Sequence, residues 1–203
     1  FLFWFGYGRV GAPDGSEAEV ERRLARLEQG LTMLNELECP VIVGDFPDMS
    51  AAVGFMLSAR QMPSPNALAA LNQRVHAWIA DNEHAHHFPL GPLVADIRAG
   101  RPLEIADRTW DRNEVGRLLG IDALHPTTLG LIATAQKVGE VMADSLEDVS
   151  TDHFQSDPKM VLKALHEDLI ERTRAADGEQ AAEPPLPVDV EPPTARTVDQ
   201  TSR

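Results

Sequence analysis

The stretch Cys39-Pro-Val-Ile-Val-Gly-Asp45 decides the fold class. Pro40 to Gly44 is a short apolar, β-branched run with glycine behind it, the pattern of a strand buried on both faces. Before it, Ser16 to Glu38 carries Val20, Leu24, Leu27, Leu31, Leu34 and Leu37 at spacings of three and four, which predicts an amphipathic helix. Ser16, with Glu19 three residues on, forms the sequence signature of a capping box. After the strand, Asp45 to Pro63 reads as a loop rich in glycine, proline, serine and methionine. Ser64-Pro65 then opens a second helix with Leu68, Leu71, Val75, Trp78 and Ile79 on one face. Strands alternating with long helices imply an α/β fold around a parallel sheet.

Further from this centre, Phe1 to Phe5 is a continuous aromatic and aliphatic run followed by glycine and reads as another buried strand. His86 to Leu90 is expected as a third strand, followed by a short helix from Pro92 to Ala99. Leu103, Ile105 and Trp110 fall in a segment with no clear period, so it reads as irregular. Arg112 to Leu119 and Pro126 to Ser145 read as helices flanking the loop Gly120-Ile-Asp-Ala-Leu-His125, and Pro158 to Ala175 as one more. From Asp177 the composition turns to proline, glutamate, threonine and alanine, which reads as a disordered tail. The expected organisation is one α/β domain over residues 1–147, a helical extension over 148–176 and the tail over 177–203.

The formal net charge is −14, and there is no basic stripe interleaved with aromatics. That balance argues against nucleic acid and anionic membrane surfaces as main partners and leaves small neutral substrates open. Cys39 is the only cysteine, so the chain has neither an intrachain disulfide nor a thiolate metal cluster. No apolar run approaches the roughly 20 residues of a membrane-spanning helix, and the chain is expected to be soluble.

Gly6-Tyr-Gly8-Arg-Val-Gly11 spells G-x-G-x-x-G, the signature of a dinucleotide-binding turn. Such a turn needs its helix to begin among the glycines, because the pyrophosphate sits on that helix's free N–H groups. Here Pro13 and Gly15 delay the helix, and Asp45 lies well beyond the roughly 20-residue spacing of the ribose-binding acid. The dinucleotide reading through Gly6, Gly8 and Gly11 therefore ranks third among the functional readings, and no cofactor is expected.

Asp122-Ala-Leu-His125-Pro126 carries more chemistry. A carboxylate and an imidazole three residues apart on a tight loop can form a base and its orienter: the carboxylate accepts from one ring N–H and stabilises the imidazolium when the other nitrogen takes a proton. The full stretch Asp122-Ala-Leu-His-Pro-Thr-Thr-Leu-Gly130 resembles the last block of the SGNH (GDSL-type) serine esterases, D-x-x-H-P-t-x-x-G. Phe1 to Gly8 resembles that family's third-strand block, and Cys39 to Ser50 its next strand and substrate-side loop; in order and rough spacing the resemblance covers about Phe1 to Glu147.

The resemblance implies a flavodoxin-like three-layer α/β/α sandwich with a parallel sheet, lacking here its first strand. It implies a Ser-His-Asp triad with Asp122 and His125 as two members and a serine belonging to a G-D-S block upstream of Phe1. The implied reaction is hydrolysis of an O-acyl ester of carbohydrate or lipid type. The family's oxyanion asparagine is replaced by Gly8, which leaves that role to backbone N–H groups of the Gly6-Tyr7-Gly8 turn. A relative that keeps the fold for binding without catalysis is the alternative. If the first strand is missing, Phe1 to Phe5 becomes an exposed edge, and the isolated chain is expected to be poorly stable.

Ser50 and Ser58 follow the Pro40–Gly44 strand, but neither sits on a sharp nucleophile turn. His84, His86 and His87 find no acidic or histidine partner at helical spacing, so no metal site is expected. Met49, Met56 and Met62 read as lining a mobile apolar loop.

Overall fold

A computed structural model describes residues 3–8, 11 and 13–180. The chain divides into two compact units, Phe1–Val161 and Leu162–Arg203. The fold is mixed α/β. The first unit begins with the short helix α1 (Phe3–Tyr7) and the long helix α2 (Glu17–Asn35). There follow strand β1 (Val41–Gly44), helix α3 (Pro65–Ala80), strand β2 (Ala85–Phe88) and helix α4 (Leu90–Ala99). Strands β3 (Leu103–Ile105) and β4 (Arg108–Trp110), the single turn α5 (Arg112–Val115) and helix α6 (Thr128–Ser145) complete it. Helix α7 (Pro158–Gln180) runs from the end of the first unit into the second.

Strands β1 and β2 pair in parallel, Val41 opposite Ala85 through Gly44 opposite Phe88, with α3 as the crossover. Side chains alternate across a strand, and this pair divides its apolar residues accordingly. Val43 and Ala85 join one core cluster with Leu27, Leu31 and Leu34 of α2 and Leu71, Val75 and Trp78 of α3. Ile42 and Phe88 pack in a second cluster with Leu93 of α4, Ile105, Trp110, Val115 and Leu118. The expected parallel sheet is thus present as one two-stranded pair with packed apolar residues on both faces.

Helix ends follow the capping chemistry. Ser16 Oγ accepts from Glu19 N–H and Ser64 Oγ from Ala67 N–H, with Pro65 in the first turn of α3. The box at Ser16 is only half formed, because the Glu19 carboxylate turns to Gly15 N–H at 2.9 Å and Asp14 takes Ser16 N–H. Glu19 also meets Arg23 at 2.9 Å and accepts from Ser64 N–H at 3.0 Å. Burial pushes the Glu19 carboxyl up, but the Ser64 amide, Arg23 and the Gly15 amide together hold it below its ordinary value.

Several expectations are corrected. Residues 3–5 of the presumed first strand belong to α1; Phe1 and Leu2 lie outside the described residues. A strand needs a neighbour's ladder to satisfy its backbone, whereas a helical turn bonds within itself, and α1 packs on α2. Phe3–Tyr7 therefore presents no exposed strand edge. Residues 103–110, expected to be irregular, form an antiparallel hairpin with Leu103 opposite Trp110. Met49 and Met62 are core residues and not a loose lining, while Met56 is exposed. The tail expected from Asp177 begins inside α7, and residues 181–203 lie outside the described residues. Among the described residues no helix is long and apolar enough to cross a membrane.

Candidate functional site

The loop between α5 and α6 is shaped by its own polar groups. Asp122 Oδ1 accepts from the backbone N–H of both Leu124 and His125 at 3.0 Å, which folds the four residues into a tight turn. Ala123 takes the left-handed conformation at φ 53° to close it. Gly120 N–H donates to the His125 carbonyl at 2.8 Å, and Thr127 N–H to Leu118 O at 2.9 Å, so the loop is pinned at its neck. Thr127 caps α6 through Gly130 N–H.

The turn aims the imidazole back at the carboxylate. His125 Nδ1 lies 2.7 Å from Asp122 Oδ2. An ionised carboxylate can only accept, so Nδ1 carries the proton in this bond and Nε2, on the far edge of the ring, is left to take one. The hydrogen bond to His125, followed by those from the Leu124 and His125 amides, lowers the Asp122 carboxyl to about 2. The His125 side chain is 61% exposed, so a reactant has access to it from solvent.

Arg98, near the end of α4, ties this loop to the one after β1. Its guanidinium donates to the Ala123 carbonyl at 2.8 Å and to the Asp48 carbonyl. Leu124 packs against the cluster that holds Tyr7, Phe46 and Met49, which brings the α1 turn and the Asp122–His125 loop onto one body. Burial, and then the charge of Asp48, push the Tyr7 hydroxyl well above its ordinary value.

The other sequence-derived candidates fall as follows. Gly6 is buried within α1; a Cβ there would overlap the Phe46 ring, and its carbonyl accepts from Arg23 at 3.0 Å. Gly8 is half-buried in the bend after α1, and Gly11 is exposed with φ 107°. Ser50 is exposed and lines a cavity of about 440 Å³ with Asp48, Met62, Leu68 and Asn72. Ser58 Oγ donates to Gln61 at 3.0 Å. Among the described residues neither Ser50 nor Ser58 is hydrogen-bonded to His125.

One grouping escaped the local pattern. His87 has both an acidic and an imidazole neighbour, contrary to the expectation drawn from helical spacing alone: Asp45 Oδ2 lies 3.5 Å from His87 Nε2 and 3.6 Å from His76 Nε2. The three come from the end of β1, from α3 and from β2, and the ligand atoms all lie within 4.8 Å of one another. The available signal was the parity of the strand: Val43 and Asp45 alternate onto one face, and register places His87 opposite Val43.

No family model, curated protein or solved structure matches the chain.

Proposed function

We propose that this protein is an ester hydrolase in which His125 is the general base and Asp122 its orienter. The observation that carries the reading is the 2.7 Å contact between His125 Nδ1 and Asp122 Oδ2 on a turn the carboxylate itself organises. The substrate class is an O-acyl ester of carbohydrate or lipid type, and the nucleophile is a serine contributed from outside these 203 residues. The serine hydroxyl gives its proton to His125 Nε2 as its oxygen bonds to the acyl carbon, and Asp122 stabilises the imidazolium. The proton passes to the departing alcohol, and water then cleaves the acyl-enzyme by the same route.

The finer fold proposal, a flavodoxin-like three-layer sandwich, is supported by the parallel β1–β2 pair with apolar clusters on both faces. In the full-length gene product, hydrolysis of a short-chain acyl ester and labelling by a serine-directed phosphonate are expected. His125→Ala is expected to lower kcat by roughly 1000-fold or more. Unchanged turnover in that variant overturns the mechanism.

A non-catalytic binding protein is the second reading, favoured by the helical α1 where the resemblance implies a strand and by glycine at position 8. Absence of both turnover and label in the full-length protein selects it. The dinucleotide reading has little structural support: its first glycine, Gly6, lies within a helix, and the next helix begins only at Glu17.

A further inference from the structure

We infer that Asp45, His76 and His87 form a binding site for one divalent transition-metal ion, with zinc the best fit. Oδ2 of Asp45 stands 3.5 Å and 3.6 Å from the two Nε2 atoms. Those separations exceed the 2.7–3.2 Å of an N–H···O hydrogen bond. They match a shared cation: donor atoms bound tetrahedrally to zinc at its usual N and O distances lie about 3.3–3.6 Å from one another. Two imidazoles and a carboxylate are the donor set of three-ligand zinc sites, and the two nitrogens select against magnesium and calcium, which take oxygen shells.

The carboxylate is held as a ligand is held. Its side chain is only 6% exposed, its Oδ1 accepts from Gly91 N–H in the first turn of α4, and Oδ2 is thereby turned toward the two rings. The N-terminal end of α4 supports the buried negative charge. A Cβ on Gly91 would come to 3.2 Å from Oδ1, so the residue that donates this N–H also makes room for the carboxylate. His76 and His87 are exposed, which leaves the fourth coordination position facing solvent and open to water. The site lies at the carboxyl end of two parallel strands, where α/β sheets place their ligands. Bound metal ties β1, α3 and β2 together, and the site does not depend on the Asp122–His125 pair.

The test uses the whole chain, stripped with a chelator and titrated with ZnCl₂ by calorimetry and with CoCl₂ by visible absorption. One zinc per chain is expected, with the intense visible bands of four-coordinate cobalt, and excess Mg²⁺ or Ca²⁺ leaves both signals in place. His76→Gln and His87→Gln are each expected to weaken binding by about 100-fold or more and to abolish the rise in Tm on adding zinc. His86→Gln, on the opposite face of β2, keeps wild-type affinity. His76 is a surface side chain, so His76→Gln is expected to fold, and its circular dichroism checks this. Failure of the wild-type chain to bind zinc overturns the proposal, as does wild-type affinity in His76→Gln or His87→Gln.

Discussion

Asp122 uses both carboxylate oxygens on its own turn: one takes the amides of Leu124 and His125, the other the imidazole. The hydrogen bond to His125 is the largest of the influences that lower its carboxyl from 3.8 to about 2. In His125→Ala the carboxyl is expected to move up toward 3.8 without reaching it, since the two amides remain; carbon NMR of the side chain follows it. An unmoved value shows that the imidazole is not the cause. The sign of the stability effect follows from the depressed folded value. Ionised Asp122 stabilises the fold fully above 3.8, and that contribution is lost as the pH falls through about 2. The stability difference between wild type and Asp122→Asn is therefore expected to shrink from pH 4 to pH 2 in urea unfolding. This pair was legible in the sequence because its bonds span three residues. The Asp45–His76–His87 grouping was not, because each member comes from a different element.

Gly130, the last residue of the block that opens at Asp122, has a structural reason at the scale of the element. It lies buried in the first turn of α6, and a Cβ there would overlap the Leu118 carbonyl and press on Pro126. Both neighbours belong to the neck of the Asp122–His125 loop, and the carbonyl is backbone that cannot rotate away. Gly130→Ala is expected to destabilise the protein by about 1–3 kcal/mol in urea unfolding. A change within error shows that α6 can move off the loop freely. The β3–β4 hairpin shows why another element escaped notice. Its turn residues Ala106 and Asp107 sit at φ 52° and 54°, the two left-handed positions of a type I′ turn that Asn-Gly normally announces. Glu140 on α6 accepts from Ala106 N–H, and Trp110 is fully buried, so tertiary contacts hold a turn its residues do not favour.

At the scale of the whole molecule, the buried Glu19–Arg23 pair joins parts distant in sequence. Both side chains are 1% exposed, and Arg23 donates to Gly6 O of α1 and Met62 O before α3, while Glu19 holds the amides of Gly15 and Ser64. Arg23→Met strands a buried carboxylate and is expected to cost about 3–5 kcal/mol. Glu19→Gln/Arg23→Met is expected to lose less than the sum of its single variants, measured as a double-mutant cycle in urea. Strict additivity contradicts the coupling. The same node explains the departure on α2: its middle buries Leu27, Leu31 and Leu34 as its period predicts, while its first turns bury charge.

The amino-acid sequence by itself determined the alternation of helix and strand from α2 to α4, the serine caps at Ser16 and Ser64, and the Asp122–His125 spacing. Each depends on groups within about four residues, whose hydrogen bonds and side-chain period are set locally. Tertiary structure decided that Phe3–Tyr7 is helical, that Ala106-Asp107 turns a hairpin, and that Asp45 meets two imidazoles. In each case the local chain is compatible with more than one conformation or neighbourhood, and packing against residues far along the sequence selects one.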